Sequence, residues 1–194
     1  MDDRRRGPDH AAKHLDAALR HLEGLRGPVA DFGCGEGVFA PASESYVGVD
    51  LSLESARAVR AAGRQSLVSN LGNVALRDRT CAGVLCVNTL HCAERPEAIL
   101  REIDRVLRPA GRAYVKNDWF KSPFGREAVL RREVSRWAHR LAYLWHRLLS
   151  PKRFTARATP RGRAICPHCF RRFFADRGYA IRRVSRYVML LTKP

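Results

Sequence analysis

Apolar positions along the chain recur first with a helical and then with a strand-like period. Ala11, Leu15, Ala18, Leu22 and Leu25 fall three or four residues apart, which predicts a helix that Gly27-Pro28 stops. Val29-Ala30-Asp31-Phe32 follows as a short strand running into glycines, and Tyr46-Val47-Gly48-Val49 is a second. A helix is expected from Leu53 to Ala62, with Gly63 beyond its end, where a left-handed residue is favoured. Ser66-Leu67-Val68 reads as a weak third strand. Val84-Leu85-Cys86-Val87, apolar throughout, reads as a fourth that is covered on both faces.

Pro96 then opens a helix at its first turn, where its missing N–H costs nothing, and Ile99, Leu100, Ile103, Val106 and Leu107 form the buried stripe. Pro109-Ala110-Gly111 predicts a turn into a fifth strand, Arg112 to Val115. Pro167 opens a last helix that runs to Arg177 and stops at Gly178. Tyr179–Val184 and Tyr187–Thr192 are extended and too close together for a crossover helix, so they should pair antiparallel. Strands alternating with helices predict a parallel sheet flanked by helices.

Composition narrows the classes. The chain has 194 residues, 45% of them hydrophobic and 28% charged, as in a globular protein with a real core, and its length suits one domain. No apolar run reaches the roughly 20 residues of a membrane-spanning helix, and the basic start leads into no apolar segment of a secretory signal. With no export signal, the six cysteines read as reduced thiols and the expected compartment is the cytoplasm. Charge is unusual: 36 Lys plus Arg against 19 Asp plus Glu gives +17. Such an excess suits an anionic partner, and arginine-rich codon usage would produce it equally well.

The first strand ends in Asp31-Phe32-Gly33-Cys34-Gly35-Glu36-Gly37 and the second ends in Asp50, 17 residues after Gly33. In an open α/β sheet, ligands bind beyond the carboxyl ends of the strands, where the strand order reverses. Glycines there let a ligand approach the main chain, and a carboxylate at the neighbouring tip can accept both hydrogen bonds of a ribose diol. The spacing is G-x-G-x-G, not the G-x-G-x-x-G of dinucleotide sites. Asp31 inside the strand would repel a pyrophosphate and welcome an ammonium, which favours a nucleoside carrying an amino-acid tail.

Val29 to Gly37, Tyr46 to Ser52 and Arg95 to Arg112 together resemble the class I S-adenosylmethionine-dependent methyltransferases, nearest the subgroup with the ubiquinone and menaquinone biosynthesis enzymes. The resemblance implies a Rossmann-like, doubly wound, mostly parallel seven-stranded α/β sheet with an antiparallel last strand, plus a helical cap insertion. It divides a single domain into an N-terminal helix (1–27), a cofactor-binding core (28–118), a basic helical cap (119–163) and a C-terminal helix and strand pair (164–194). The cofactor it implies is S-adenosyl-L-methionine. Asp31, Gly33 and Gly35 would hold its methionine part, Cys34 and Gly37 would bind the cofactor from the same loop, and Asp50 would take its ribose. Leu51 would lie against the adenine. Asn70, where the family usually has Asp, would meet the adenine amino group with Leu71 beside it, and Asn88 would close the site. Two departures stand out: the helix between the first two strands must be short, broken by Pro41, and the family's Asp at the start of the fourth strand is replaced around Ala82.

The acceptor should meet the methyl group beyond the fourth strand, at Asn88-Thr89-Leu90-His91-Cys92, so Asn88 and His91 are the catalytic candidates. Histidine is the side chain suited to proton transfer near neutrality; the alternative is that His91 only packs beside the cofactor. Lys116, Asn117 and Asp118 end the fifth strand as candidate lining of the acceptor pocket. The insertion 119–163 holds twelve Lys or Arg against Glu127 and Glu133, and all three Trp (119, 137, 145). Leu130, Val134, Trp137, Leu141, Leu144 and Leu148 mark an amphipathic helix in it, and Lys152–Arg163 reads as a basic loop. That Arg/Trp surface could cover a small-molecule acceptor, grip RNA or lie on an anionic membrane. Cys166-Pro-His-Cys169 lacks the second ligand pair of a structural zinc site. The expected function is methyl transfer to a small molecule such as a quinone, lipid or secondary metabolite. The alternatives are an RNA base methyltransferase and a cofactor-dead binding protein.

Overall fold

The computed structural model describes residues 16–39, 45–117, 156–159, 162–165, 167–185 and 188–194. Among them the strands are β1 (Val29–Phe32), β2 (Tyr46–Asp50), β3 (Gln65–Val68), β4 (Cys81–Val87), β5 (Leu107–Lys116), β6 (Ala156–Thr159), β7 (Gly162–Ile165), β8 (Ala180–Arg183) and β9 (Val188–Thr192). The helices are α1 over 16–22, α2 (Leu53–Ala61), α3 (Pro96–Val106) and α4 (Pro167–Ala175). Seven strands form one sheet in the order β3-β2-β1-β4-β5-β9-β8. β1 to β5 run parallel and β9 is antiparallel to both its neighbours, the architecture the motifs imply. The order reverses at β1, which has β2 on one side and β4 on the other.

Apolar residues alternate between the two faces because strand side chains have a period of two. Val84 and Cys86 of β4, Ala113 and Val115 of β5, and Met189 and Leu191 of β9 share a core with Ile99, Leu100 and Ile103 of α3 and Phe170 and Phe174 of α4. Leu85, Val87, Tyr114, Val188 and Leu190 face the opposite way and pack against Ala18 and Leu22 of α1. Helices therefore cover the central strands on both sides, which is why β4 carries no polar position.

Several boundaries move. β4 begins three residues earlier than its branched residues suggest, because Gly83 leaves room for α1: a Cβ there would sit 3.1 Å from Leu22. The turn expected at Pro109-Ala110-Gly111 lies inside β5 as an irregularity. Leu107 pairs with Cys81, the next pair is Arg112 with Gly83, and Ala110 takes φ +59°. The short helix expected after the glycine loop does not form among the described residues 33–39, which are turns with Gly33, Gly35 and Gly37 all at positive φ. The basic loop expected over Lys152–Arg163 is in part a hairpin, β6 pairing antiparallel with β7 from Ala156↔Ile165 to Thr159↔Gly162. Small and charged residues gave it no apolar alternation. β7 lies against the turn Leu90–Cys92 beyond β4. The stripe from Leu130 to Leu148, Cys166 and the side chains of His168 and Cys169 lie outside the described residues. No helix among the described residues is long and apolar enough to cross a membrane.

The segment between β3 and β4 has no regular structure, and Arg105 holds it. Its guanidinium donates to both oxygens of Glu102 (2.8 and 2.7 Å), to Asp78 (2.6 Å) and to the carbonyls of Leu76 and Val74 (2.7 and 2.8 Å). Glu102 also accepts the Val74 N–H at 2.7 Å. Burial alone would raise the Glu102 carboxyl, but the bonds from Arg105 and Val74 outweigh it and hold it below its ordinary value. Arg105→Lys keeps the charge but loses the planar fork. It should lower unfolding free energy by about 1–2 kcal/mol, read from the urea midpoint.

Candidate functional site

The carboxyl ends of β1, β2 and β4 border a cleft of about 650 Å³, within the range of small-molecule sites. Gly33 opens it at the tip of β1. Its φ of +75° lets the chain turn back, and its N–H donates to the Val49 carbonyl at 2.7 Å. A Cβ at Gly33 would fall 2.4 Å from Thr89 Oγ1. That hydroxyl is held in place, within hydrogen-bond distance of the carbonyls of Phe32 (2.9 Å) and Val87 (3.0 Å). Glycine is thus required twice over, by conformation and by space.

At the neighbouring tip, Asp50 Oδ2 accepts the Gly35 N–H at 3.0 Å and Oδ1 the Ser52 N–H at 2.9 Å. An ionised carboxylate has about four acceptor positions, so two remain for a ligand diol. Leu51 beside it is 71% exposed, an apolar side chain presented to the cleft. Asn70, Leu71 and Asn88 complete this side. Asn70 Oδ1 accepts the Gly72 N–H at 2.8 Å, which folds the loop into a tight side-chain turn and commits one of its lone pairs. Asn88 takes φ +55° where β4 ends, a conformation that asparagine tolerates better than most residues.

The cleft therefore brings together Gly33, Asp50, Leu51, Asn70, Leu71 and Asn88 of the residues expected there. Asp31, Cys34, Gly35, Gly37 and His91 do not line it. Asp31 is 1% exposed and its Oδ2 accepts the Tyr46 hydroxyl at 2.9 Å, so one carboxylate oxygen is committed inside the protein. Cys34 packs with Tyr46 and Val59, and burial, together with the charges of Asp31 and Asp50, pushes its thiol up to about 12, which makes it inert. Gly35 spends its N–H on Asp50, and Gly37 gives room to Val59 and Tyr46. Pattern reading missed Thr89, whose hydroxyl fills the space Gly33 leaves. It also missed the far wall, built by Cys92, Ala93, Arg95 and Ala98 at the entry to α3. Arg95 and Ala98 lie within the third motif and Thr89 and Cys92 in the stretch after β4, but their residue types alone carry no sign of a cleft wall.

Burial raises the Asp31 carboxyl to about 6, with the Asp50 charge adding to it and the Tyr46 hydrogen bond opposing it. The folded form then holds a proton that the unfolded chain, titrating near 3.8, has lost. This favours the native state most below pH 4, weakens it as pH rises to about 6, and leaves it constant above. Asp31→Asn should therefore be more stable than the wild type by about 1–3 kcal/mol at pH 7 and no more stable at pH 4, measured by urea unfolding at both values.

His91 occupies the other side of the same turn. Its backbone N–H and its Nδ1 both meet Oδ1 of Asn117, at 3.2 and 3.0 Å. Asn117 is fully buried just past β5. Asn88 and Thr89 thus face the cleft, while His91 faces the gap between the tips of β4 and β5, and β7 lies over that turn.

A doubly wound sheet reversing at β1, a glycine tip without room for a Cβ and a carboxylate at the adjoining tip make up the Rossmann-like arrangement of the class I, S-adenosylmethionine-dependent methyltransferase kind. Residues 30–115 match the family model described as a methyltransferase domain, so this part of the chain is such a domain. An uncharacterized protein of Methanocaldococcus jannaschii is 28% identical over 101 residues, 52% of this chain and 48% of that protein, so the match spans about half of the relative's length. Among solved structures, a SAM-dependent methyltransferase from Thermotoga maritima aligns with a TM-score of 0.63 at 20% identity, covering 95% of this chain and 89% of that one. Geranyl diphosphate C-methyltransferase from Streptomyces coelicolor A3(2), solved with Mg2+, geranyl diphosphate and S-adenosyl-L-homocysteine, aligns at 0.61 and 14%, covering 93% and 77%. At these identities the structures show a shared fold.

Proposed function

We propose that the protein transfers a methyl group from S-adenosyl-L-methionine to a small-molecule acceptor. The observation that carries this reading is the Asp50 carboxylate. It stands beside a cleft opened by Gly33 and keeps acceptor positions to spare after binding the glycine loop. The donor set fits the group: Asp50 would take the ribose hydroxyls, the exposed Leu51 would cover the adenine with Asn70 and Leu71 at its edge, and Gly33 would admit the tail. The bound cofactor supplies an activated methyl on a sulfonium. The protein's own work is to align the acceptor with it and receive any proton released. Asn88 closes the cofactor side and His91 is the proton acceptor.

A small acceptor is favoured by a cleft within the size range of small-molecule sites and by the resemblance to quinone-modifying enzymes. The structural neighbour acting on geranyl diphosphate shows that this fold accommodates an anionic, apolar molecule. Residues 119–163 then act as a basic cover, and the hairpin they end in lies beside the turn of His91. The test is incubation with methyl-labelled cofactor and fractionated cell extract, separating small-molecule, lipid and RNA pools. Label in the small-molecule pool supports the reading, and label in RNA replaces it with nucleic-acid methylation. Absence of S-adenosyl-L-homocysteine binding in a calorimeter leaves a binding protein without catalysis.

A further inference from the structure

The chemistry of the acceptor can be narrowed by asking which nitrogen of His91 carries a proton. The backbone N–H of His91 can only donate, so the Asn117 atom it meets at 3.2 Å must be the carbonyl oxygen and not the amide nitrogen. The same oxygen lies 3.0 Å from His91 Nδ1, and an oxygen without a proton can only accept. Nδ1 is therefore the protonated nitrogen, and Nε2 of the neutral ring carries the lone pair. Asn117 is 0% exposed, so water does not compete for this oxygen, and it follows directly on Lys116, the last residue of β5. The carbonyl of Lys116 accepts the Asn88 N–H at 2.8 Å, so β5 pins both ends of the stretch Asn88–His91.

We infer that Asn117 is a positioning residue that holds His91 in its Nδ1–H tautomer, leaving Nε2 as a proton acceptor for an acceptor group that must lose a proton. The inference rests on the methyl-transfer reading and deepens it. The acceptor atom is then a hydroxyl oxygen, an N–H nitrogen or an acidic carbon. A thioether or a tertiary amine, which would end as an onium ion and needs no base, is not the substrate. In balance, the acceptor's lone pair, or for carbon the pair released when its proton leaves, forms a bond to the methyl carbon while the carbon–sulfur bond breaks with its pair staying on sulfur. The acceptor's proton passes to Nε2, and the imidazolium later returns it to water.

The test is long-range proton–nitrogen NMR of the histidine rings in the full chain without ligand, at a pH where the rings are neutral. The chain has seven His, so a His91→Gln sample identifies the signal. The wild type should show the Nδ1–H pattern at His91. Asn117→Ala should shift it toward the Nε2–H form that a free histidine side chain prefers, and Asn117→Asp, which keeps an acceptor oxygen in place, should restore Nδ1–H. A wild-type ring protonated on Nε2, or a tautomer indifferent to Asn117→Ala, overturns the inference. The wild-type spectrum decides even if the alanine variant does not fold. Calorimetry with S-adenosyl-L-homocysteine separates the two claims. A wild type that fails to bind it defeats the methyl-transfer reading whatever the spectrum shows, and one that binds it while His91 is protonated on Nε2 defeats only this inference.

Discussion

Asp50→Ala should weaken S-adenosyl-L-homocysteine binding by about 10²–10⁴-fold, the largest effect of any single change in the cleft. Each hydrogen bond from a neutral donor to a charged acceptor is worth about 1.5–3 kcal/mol, and a ribose offers two such donors. The carboxylate has a second task, because its oxygens also receive the N–H groups of Gly35 and Ser52. Without it the glycine loop loses its tie to β2, and part of the lost affinity will be the cost of ordering that loop again on binding. Asp50→Asn separates the two contributions. Its carbonyl can still take one N–H, so the loop should stay while ligand affinity falls by an intermediate amount. Calorimetric titration of the three proteins, with urea unfolding as the stability control, makes the comparison. Equal affinity of wild type and Asp50→Ala would falsify the assignment of the cleft.

Gly33→Ala should cost roughly 2–5 kcal/mol of folding stability, enough to unfold a marginal domain. The left-handed backbone accounts for about 1–2 kcal/mol of that for any residue with a Cβ. Contact with Thr89, at 2.4 Å from Oγ1 and 2.5 Å from Cγ2, adds about 1–3 kcal/mol. Thr89 cannot simply swing away, since its hydroxyl is bound between two carbonyls. Combining Gly33→Ala with Thr89→Ala should remove most of the steric part and leave the conformational part. A double-mutant cycle should then show favourable coupling of about 1–3 kcal/mol. Additive costs would mean that the loop relaxes and the close packing of β1 on the turn after β4 is not needed.

What could be read from the sequence depended on whether a residue acts by its kind or by its neighbours. The strand–helix alternation, the antiparallel final pair and the pairing of Gly33 with Asp50 are carried by local chemistry: apolar period, glycine freedom, a carboxylate at a strand end. All of these are present in the structure. Asp31 has an environment that its residue type alone does not reveal. The strand position was right, but Tyr46 from β2 reaches it and commits one of its oxygens. Arg105 gave no signal of its own, Asn117 was legible only as pocket lining and Thr89 only as part of the stretch after β4, since each works through partners 15 or more residues away or through atoms of the main chain. The hairpin of β6 and β7 was hidden by its composition, and among the described residues, 33–39 stay in turns, three glycines adopting positive φ within five residues.

The order β5-β9-β8 has a consequence for biosynthesis. β9, near the carboxyl end, is inserted between two strands and is buried along most of its length. While the ribosome is still making residues beyond β5, that strand must wait with an unpaired hydrogen-bonding edge. The nucleoside half of the sheet can assemble meanwhile, but the bare edge invites pairing with other nascent chains. Stalled or prematurely released products should therefore be a source of aggregates, and production at lower temperature or with chaperones should raise the soluble yield.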